Sequence, residues 1–284
     1  MLASTSRDSR SARRPVLAWW QRLLAGLLVV MTLGPLLWVI LSSLQPIQNL
    51  LGSALNVFNL EDVSLDAYSR LVDRGFLQWL WNSTLVAFVV MAANVVFDSL
   101  AAYPLARMRF RGNAVAFTVV LAAIMVPAQV ILLSLYVQFR DLQLLDTHWA
   151  LILPYLVSPT GIFLMRQHFS TLPVEFEEAA AVDGAGVWRT YWLVIIPNSL
   201  AMLGTIALLK FIWTWGEFAW PSLAINSSEL KTIPVGLAGL QGQFATDWPL
   251  LMAGSVLAVL PPIIMFLLLQ RWFTEGLTAG AVKG

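Results

Sequence analysis

The sequence predicts an all-α, polytopic membrane protein with six transmembrane helices and both termini on the cytoplasmic side. Three observations carry this. The 284 residues are 58% hydrophobic and only 12% charged, with mean hydropathy +0.74, whereas about a quarter of a soluble domain is charged. Charge-poor runs recur at the length a bilayer demands. The basic residues then fall mainly on alternate sides of those runs.

A hydrocarbon core of about 30 Å takes about 20 apolar helical residues, and a charge at its centre is costly. Six segments qualify: Leu23 to Leu44; about Trp79 to Leu105, containing Asp98; and the runs between Arg111 and Arg140, Asp146 and Arg166, Arg189 and Lys210, and Asp247 and Arg271. Strands of a membrane barrel would alternate in segments of about 10 residues. These runs are continuous, so they are helices.

Twelve basic residues fall on one side of the six spans: Arg7, Arg10, Arg13, Arg14, Arg22, Arg107, Arg109, Arg111, Arg166, Arg189, Arg271 and Lys283. Only Arg70, Arg74, Arg140 and Lys231 fall opposite, and Lys210 sits at a span end. The positive-inside bias makes the richer side cytoplasmic. The expected division is a cytoplasmic N-terminal segment 1–22, a transmembrane domain 23–270 and a cytoplasmic tail 271–284. The first span exceeds a signal-peptide core of about 7–15 residues and reads as an uncleaved anchor. The outer loop from Gln45 to about Gln78 carries Glu61, Asp62, Asp66 and Asp73 and reads as a short folded excursion.

Composition also excludes chemistry. A net charge of +1 gives no basic nucleic-acid binder, and the absence of cysteine removes disulfides, thiolate metal sites and thiol nucleophiles. His148 and His168 are too few and too far apart for an H-E-x-x-H zinc site. Lys210, Lys231 and Lys283 each follow an apolar residue rather than the glycine of a phosphate-binding loop. No enzyme is expected, and no catalytic residue, metal site or cofactor of the chain's own. Pro35, Pro104, Pro127, Pro154, Pro159, Pro197, Pro261 and Pro262 thread the spans; they suit bent helices around a cavity and equally the ordinary enrichment of proline in membrane helices.

The loop at about 167–190 is the most informative stretch. Pro173 can start a helix, Glu175, Glu177 and Glu178 complement its positive end, Ala179-Ala180-Ala181 permits close approach of another backbone, and Gly184 or Gly186 can stop it. On these grounds a solvated connecting helix and a docking element stand level.

Glu178-Ala179-Ala180, three residues, Gly184, nine residues and Val194-Ile195-Ile196-Pro197 resembles the EAA loop of ABC-importer permeases. Val194 and Ile196 replace the usual Ile and Leu and keep the apolar character. Trp81-Asn82-Ser83, Ala106 to Gly112, Val126-Pro127-Ala128-Gln129 and the ending Gln270 to Gly284 are similar to carbohydrate importers, specifically the maltose-type G permease. The resemblance covers about residues 15 to 284 and implies the type I importer permease fold in a prokaryotic cytoplasmic (inner) membrane. It implies as partners a homologous second permease, two ATP-binding subunits that hold ATP and Mg, and an extracytoplasmic substrate-binding protein, beside membrane lipid. Docking to the ATPase falls to Glu178, Ala179, Ala180, Asp183, Gly184 and Pro197, and a tail contact with it to Thr278, Ala279, Gly280 and Lys283. The implied activity is import of a sugar or oligosaccharide; glycerol-3-phosphate or a glycerol phosphodiester is the alternative, and an ATP-independent channel or scaffold the rival from another class.

Three polar residues and the tryptophans complete the expectations. Asp98 costs about 2.5–3.5 kcal/mol at mid-membrane, so it needs a partner, and a bond to another helix is favoured over a substrate contact. Lys210 is expected to snorkel near the outer end of span five, and Glu217 to pair or face the binding protein. Of the thirteen tryptophans, Trp79, Trp81, Trp149, Trp213, Trp215 and Trp220 cluster toward the outer face and Trp19, Trp20 and Trp272 toward the inner one, which interfacial anchoring explains more simply than sugar stacking.

Overall fold

Without water to compete for backbone groups, each apolar run in lipid must close its own hydrogen-bond ladder, and helices form where the charge-free runs stand. The computed structural model describes residues 19–52, 57–58, 61–242 and 246–281, with side chains for all of these except 50–52 and 273–281. The described helices are α1 Trp19–Ser43, α2 Ile47–Gly52, α3 Asp66–Asp73, α4 Phe76–Arg107, α5 Asn113–Met125, α6 Ala128–Asp141, α7 His148–Ile152, α8 Pro159–Thr171, α9 Glu175–Val182, α10 Val187–Thr190, α11 Leu200–Gly216, α12 Ala219–Ala224, α13 Ile233–Ala238 and α14 Trp248–Ala281. Arg7, Arg10, Arg13 and Arg14 lie outside the described residues.

Five helical stretches are long and apolar enough to cross a membrane: Trp19–Ser43, Phe76–Arg107, His148–Thr171, Pro197–Gly216 and Trp248–Trp272. The sixth expected span is not one straight helix. Its run holds α5 and α6, bent by 98° at Val126-Pro127, which makes six spans where this pair is counted as one and five where it is not. Proline lacks an N–H and holds its predecessor extended, and both residues are extended here, with ψ 117° at Val126 and 131° at Pro127.

Span five is also displaced from its expected run. Before Pro197 the chain winds as a π-helical turn, Tyr191–Ile195, with the Ile196 N–H reaching back to Tyr191 O at 2.9 Å. Pro197 has no N–H to continue an α-ladder, and the membrane helix proper runs Pro197–Gly216. Lys210 therefore lies inside the span, not at its end.

Packing divides along the membrane normal. Toward the outer side, Leu71, Phe76, Trp79, Phe211, Trp215 and Leu250 join α3, α4, α11 and α14. Toward the inner side, Ala102, Tyr103, Met165, Phe169, Tyr191 and Ile195 join α4, α8 and the π-helical turn. The tryptophan expectation is corrected in part: Trp79, Trp215 and Trp220 are buried, and Trp272 packs against Gly204 where α14 meets α11. A buried indole needs an acceptor, and Trp215 and Trp220 donate to Ala258 O at 3.0 Å and Ala150 O at 2.8 Å. Trp19, Trp20, Trp81 and Trp149 remain exposed.

Candidate functional site

A cavity of about 650 Å³ opens between α4, the bend of the third span, α8 and α11. Its wall is mostly apolar, contributed by residues such as Val90, Ile124, Ile131, Leu164 and Ile206. The bend at Pro127 makes the opening, because it turns α6 away from the line of α5 and brings Val126 and Ala128 onto the wall. Ser158, Thr160 and Lys210 supply polar groups there, and Trp213 an aromatic face.

Those polar groups belong to a network that begins behind the wall. Asp98 on α4 is fully buried. Its Oδ1 accepts from the Ser158 N–H at 2.8 Å, just before the first turn of α8. A helix start leaves its first N–H groups unpaired and positive, so a carboxylate fits that position. Ser158 caps the same helix, its Oγ accepting from the Gly161 N–H at 3.2 Å, and Pro159 occupies the first turn, where a missing N–H costs nothing. Gly161 is glycine because a Cβ there would overlap Oδ2 of Asp98. Lys210 on α11 donates its Nζ to Ser158 Oγ and stands 5.7 Å from the Trp213 ring centroid. The expected helix-to-helix bond of Asp98 is present. The expected snorkelling of Lys210 is not: its Nζ turns inward to Ser158 Oγ, on the residue whose N–H Asp98 holds.

At the cytoplasmic end, α9 projects from the bundle. Its last turn closes with Ala185 N–H on Ala180 O at 2.9 Å and Gly184 N–H on Ala181 O at 3.0 Å, with Gly184 at φ +76°. That is the paired-bond helix end that glycine at this position permits. Glu178, Ala179, Asp183 and Gly184 are exposed. Ala180 is not: it is only 8% exposed. Pro197 stands apart from α9, at the start of span five.

Two residues absent from the expected site hold α9 in place. Arg107, the last residue of α4 and 8% exposed at its side chain, sets its Nε 3.4 Å from Glu177 Oε2, and its Nη2 donates to Leu172 O at 2.8 Å, at the end of α8. Tyr103 Oη donates to Glu177 Oε1 at 3.0 Å. Arg107 was visible in sequence only as part of a basic cluster, and nothing local distinguishes it from Arg109 and Arg111, which lie in the connection between α4 and α5. Thr278, Ala279 and Gly280 fall on the last turns of α14, which continues past Trp272 to Ala281; Lys283 lies outside the described residues.

The outer end is held differently. Asn82 is fully buried and donates to Glu229 O at 2.7 Å and Lys231 O at 3.0 Å, while Ser83 Oγ accepts from the Ile233 N–H at 2.8 Å. Asp146 accepts from the N–H groups of Asn226 and Ser227, both at 3.0 Å, and from Ser227 Oγ at 2.9 Å. Those bonds, led by the one from the Ser227 backbone, hold its carboxyl below the usual range. Arg70 pairs with Asp247 and Asp66, and the bond to Asp247 chiefly raises its affinity for its proton.

Comparison with known proteins bears on this arrangement. A family model described as binding-protein-dependent transport system inner membrane component matches residues 99–278. The chain is 32% identical over 273 residues to the arabinooligosaccharides transport system permease protein AraQ of Halalkalibacterium halodurans, covering 95% of this chain and 98% of the relative. It is also 32% identical over 234 residues to the sn-glycerol-3-phosphate transport system permease protein UgpE of Brucella melitensis, covering 82% and 83%. Its fold matches a chain in the crystal structure of a bacterial ABC transporter involved in the import of the acidic polysaccharide alginate, at TM-score 0.81 and 23% identity over 92% of this chain and 100% of that one.

Proposed function

Because this chain belongs to the binding-protein-dependent transport system inner membrane component family, we propose that it imports a sugar or oligosaccharide as one of two paired, homologous permeases, driven by ATPase subunits seated on α9. At family level it is the multi-pass, inner-membrane permease of an ABC importer, a non-catalytic component without a cofactor of its own, and ATPase and binding-protein partners follow from that membership.

One observation supports the coupling: α9 is tied through Arg107 to the cytoplasmic end of α4, and Arg107 also holds the end of α8, while Val90 of α4 and the first turns of α8 line the cavity. A push on Glu178, Ala179 or Gly184 is thus delivered to the cavity wall through Glu177, Arg107 and Leu172. Asp183 belongs to the same exposed surface, and Thr278, Ala279, Gly280 and Lys283 are proposed as a second contact with the ATPase. The sugar assignment leans on the arabinooligosaccharide relatives, at 32% and 33% identity over nine-tenths or more of this chain. The glycerol-3-phosphate relatives keep a phosphorylated polyol as the second reading.

The test is uptake by the full complex in proteoliposomes, with its binding protein, of a labelled panel that includes arabinotriose and glycerol-3-phosphate. ATP-dependent accumulation of a sugar supports the reading. Accumulation of glycerol-3-phosphate alone replaces it with the second, and transport without ATP overturns it. Removing residues 278–284 is expected to lower substrate-stimulated ATPase while leaving assembly intact; wild-type uptake would refute the tail contact.

A further inference from the structure

Lys210 is the one charged side chain on the cavity wall among the described residues. An ammonium carries three N–H groups, and Ser158 Oγ takes one of Lys210's. Its position inside the span is costly unless the charge is compensated, and Asp98, buried at the start of α8, supplies the opposite charge. The two sit in a definite order: carboxylate behind the wall, ammonium at its face. Beside the ammonium, Trp213 is 45% exposed and Thr160 is exposed on the same wall.

We propose that Lys210 is the hydrogen-bond donor this chain presents to the transported molecule, and that Asp98 behind it restricts that molecule to the uncharged, hydroxyl-rich class. This rests on the sugar-import reading and narrows it. A hydroxyl or ring oxygen accepts from the free N–H groups and adds no charge, so the pair stays neutral within the membrane. A phosphate or carboxylate at the same place leaves a net negative charge in a region of low dielectric, where the cost is several-fold larger than in water. The apolar remainder of the wall and the Trp213 face accommodate the C–H surface of a sugar ring.

The chain has no cysteine, which makes a direct test clean in a complex whose other subunits are also cysteine-free. Lys210→Cys is expected to lower arabinotriose uptake by about tenfold, the effect of losing a hydrogen bond from a charged donor. Modifying the new thiol with an aminoethyl thiosulfonate restores the ammonium and should recover most of the uptake; the sulfonatoethyl analogue, which puts an anion there, should not. Arabinotriose supplied with the binding protein during turnover should slow the labelling, a protection that a purely structural lysine has no reason to show. Uptake unaffected by Lys210→Cys, or labelling indifferent to sugar, overturns the proposal while leaving sugar import standing. Should the unmodified complex carry glycerol-3-phosphate and no sugar, the selection against anions is wrong and so is the sugar reading, although the chain remains a permease. Asp98→Asn, which unbalances the pair, should reduce sugar uptake too, but it also places an amide NH2 in a buried pocket against the start of α8, so the thiol series decides.

Discussion

The two ends of the molecule are tied in opposite ways. At the outer end, side chains reach across to backbone groups: Asn82 and Ser83 hold the segment from Glu229 to Ile233, and Asp146 holds Asn226 and Ser227. At the cytoplasmic end, α9 hangs from the bundle chiefly through one acid, Glu177, met by Arg107 and Tyr103. Many backbone-directed bonds make a rigid cap. One ionic joint makes a lever, which passes on a displacement without having to unfold. The comparison therefore separates two kinds of damage: outer substitutions should cost stability and spare coupling, and inner ones should do the reverse.

The strongest test acts on the lever's exposed tip. Gly184→Trp combines a bulky side chain on the proposed docking surface with a left-handed backbone that only glycine adopts freely. Uptake should be abolished and the ATPase subunits should fail to co-purify, while the chain still inserts. Gly184→Asn, which tolerates the same φ, should keep most uptake; equal loss in both would mean that strain rather than docking is responsible.

Next in size is Arg107→Met, which leaves Glu177 held by Tyr103 alone and takes the Arg107 donor from Leu172 O. Breaking a largely buried ion pair costs about 3 kcal/mol, and here the cost should fall on α9. Substrate-stimulated ATPase and uptake should drop by about tenfold or more in an assembled complex. Unchanged stimulation would show that the lever is held elsewhere.

At the outer end, Asn82→Ala removes the donor to the Glu229 and Lys231 carbonyls, both partly buried, at about 1–3 kcal/mol in all. The melting temperature of the purified complex should fall by about 5 °C, with ATP hydrolysed per sugar transported unchanged. A change in that ratio would erase the distinction between the two ends. Tyr103→Phe sharpens the inner side, since it removes a single hydrogen bond worth about 1 kcal/mol and should weaken stimulation only severalfold.

The smallest effect belongs to Asp146. Its folded carboxyl sits below the usual range, so its contribution is present above about pH 4 and is lost as pH falls through the folded value. Thermal stability of the wild type should therefore decline slightly more than that of Asp146→Asn between about pH 5 and pH 3; parallel curves would mean that the bonds to Asn226 and Ser227 contribute nothing.

The spans, their orientation and the stop signal of α9 were legible because each depends on a short stretch of chain. Charge-free runs report bilayer thickness, and Gly184 reports a left-handed helix end wherever the helix goes. The paired loops agree with the alternation of sides along the chain: Asp146 meets Ser227 among loops assigned to one side, and Arg107 meets Glu177 among loops assigned to the other. The break at Pro127 was foreseeable in place, since proline restricts itself and its neighbour, but its 98° angle was not.

Partnerships between helices had to wait for the tertiary structure. In a soluble protein the buried face of a helix is more apolar than the exposed one, and the pattern shows in sequence. In lipid both faces are apolar, and helices associate through packing and a few hydrogen bonds instead. Nothing local in α4 says that Asp98 should reach Ser158, nothing in α11 that Lys210 should turn inward, and nothing around Trp79, Trp215 and Trp220 that they are core residues while Trp81 and Trp149 are not. Hydropathy placed these residues in the membrane. Which neighbour each one meets there is a property of the assembled bundle, because the same apolar surface can face a lipid tail or another helix at nearly equal cost.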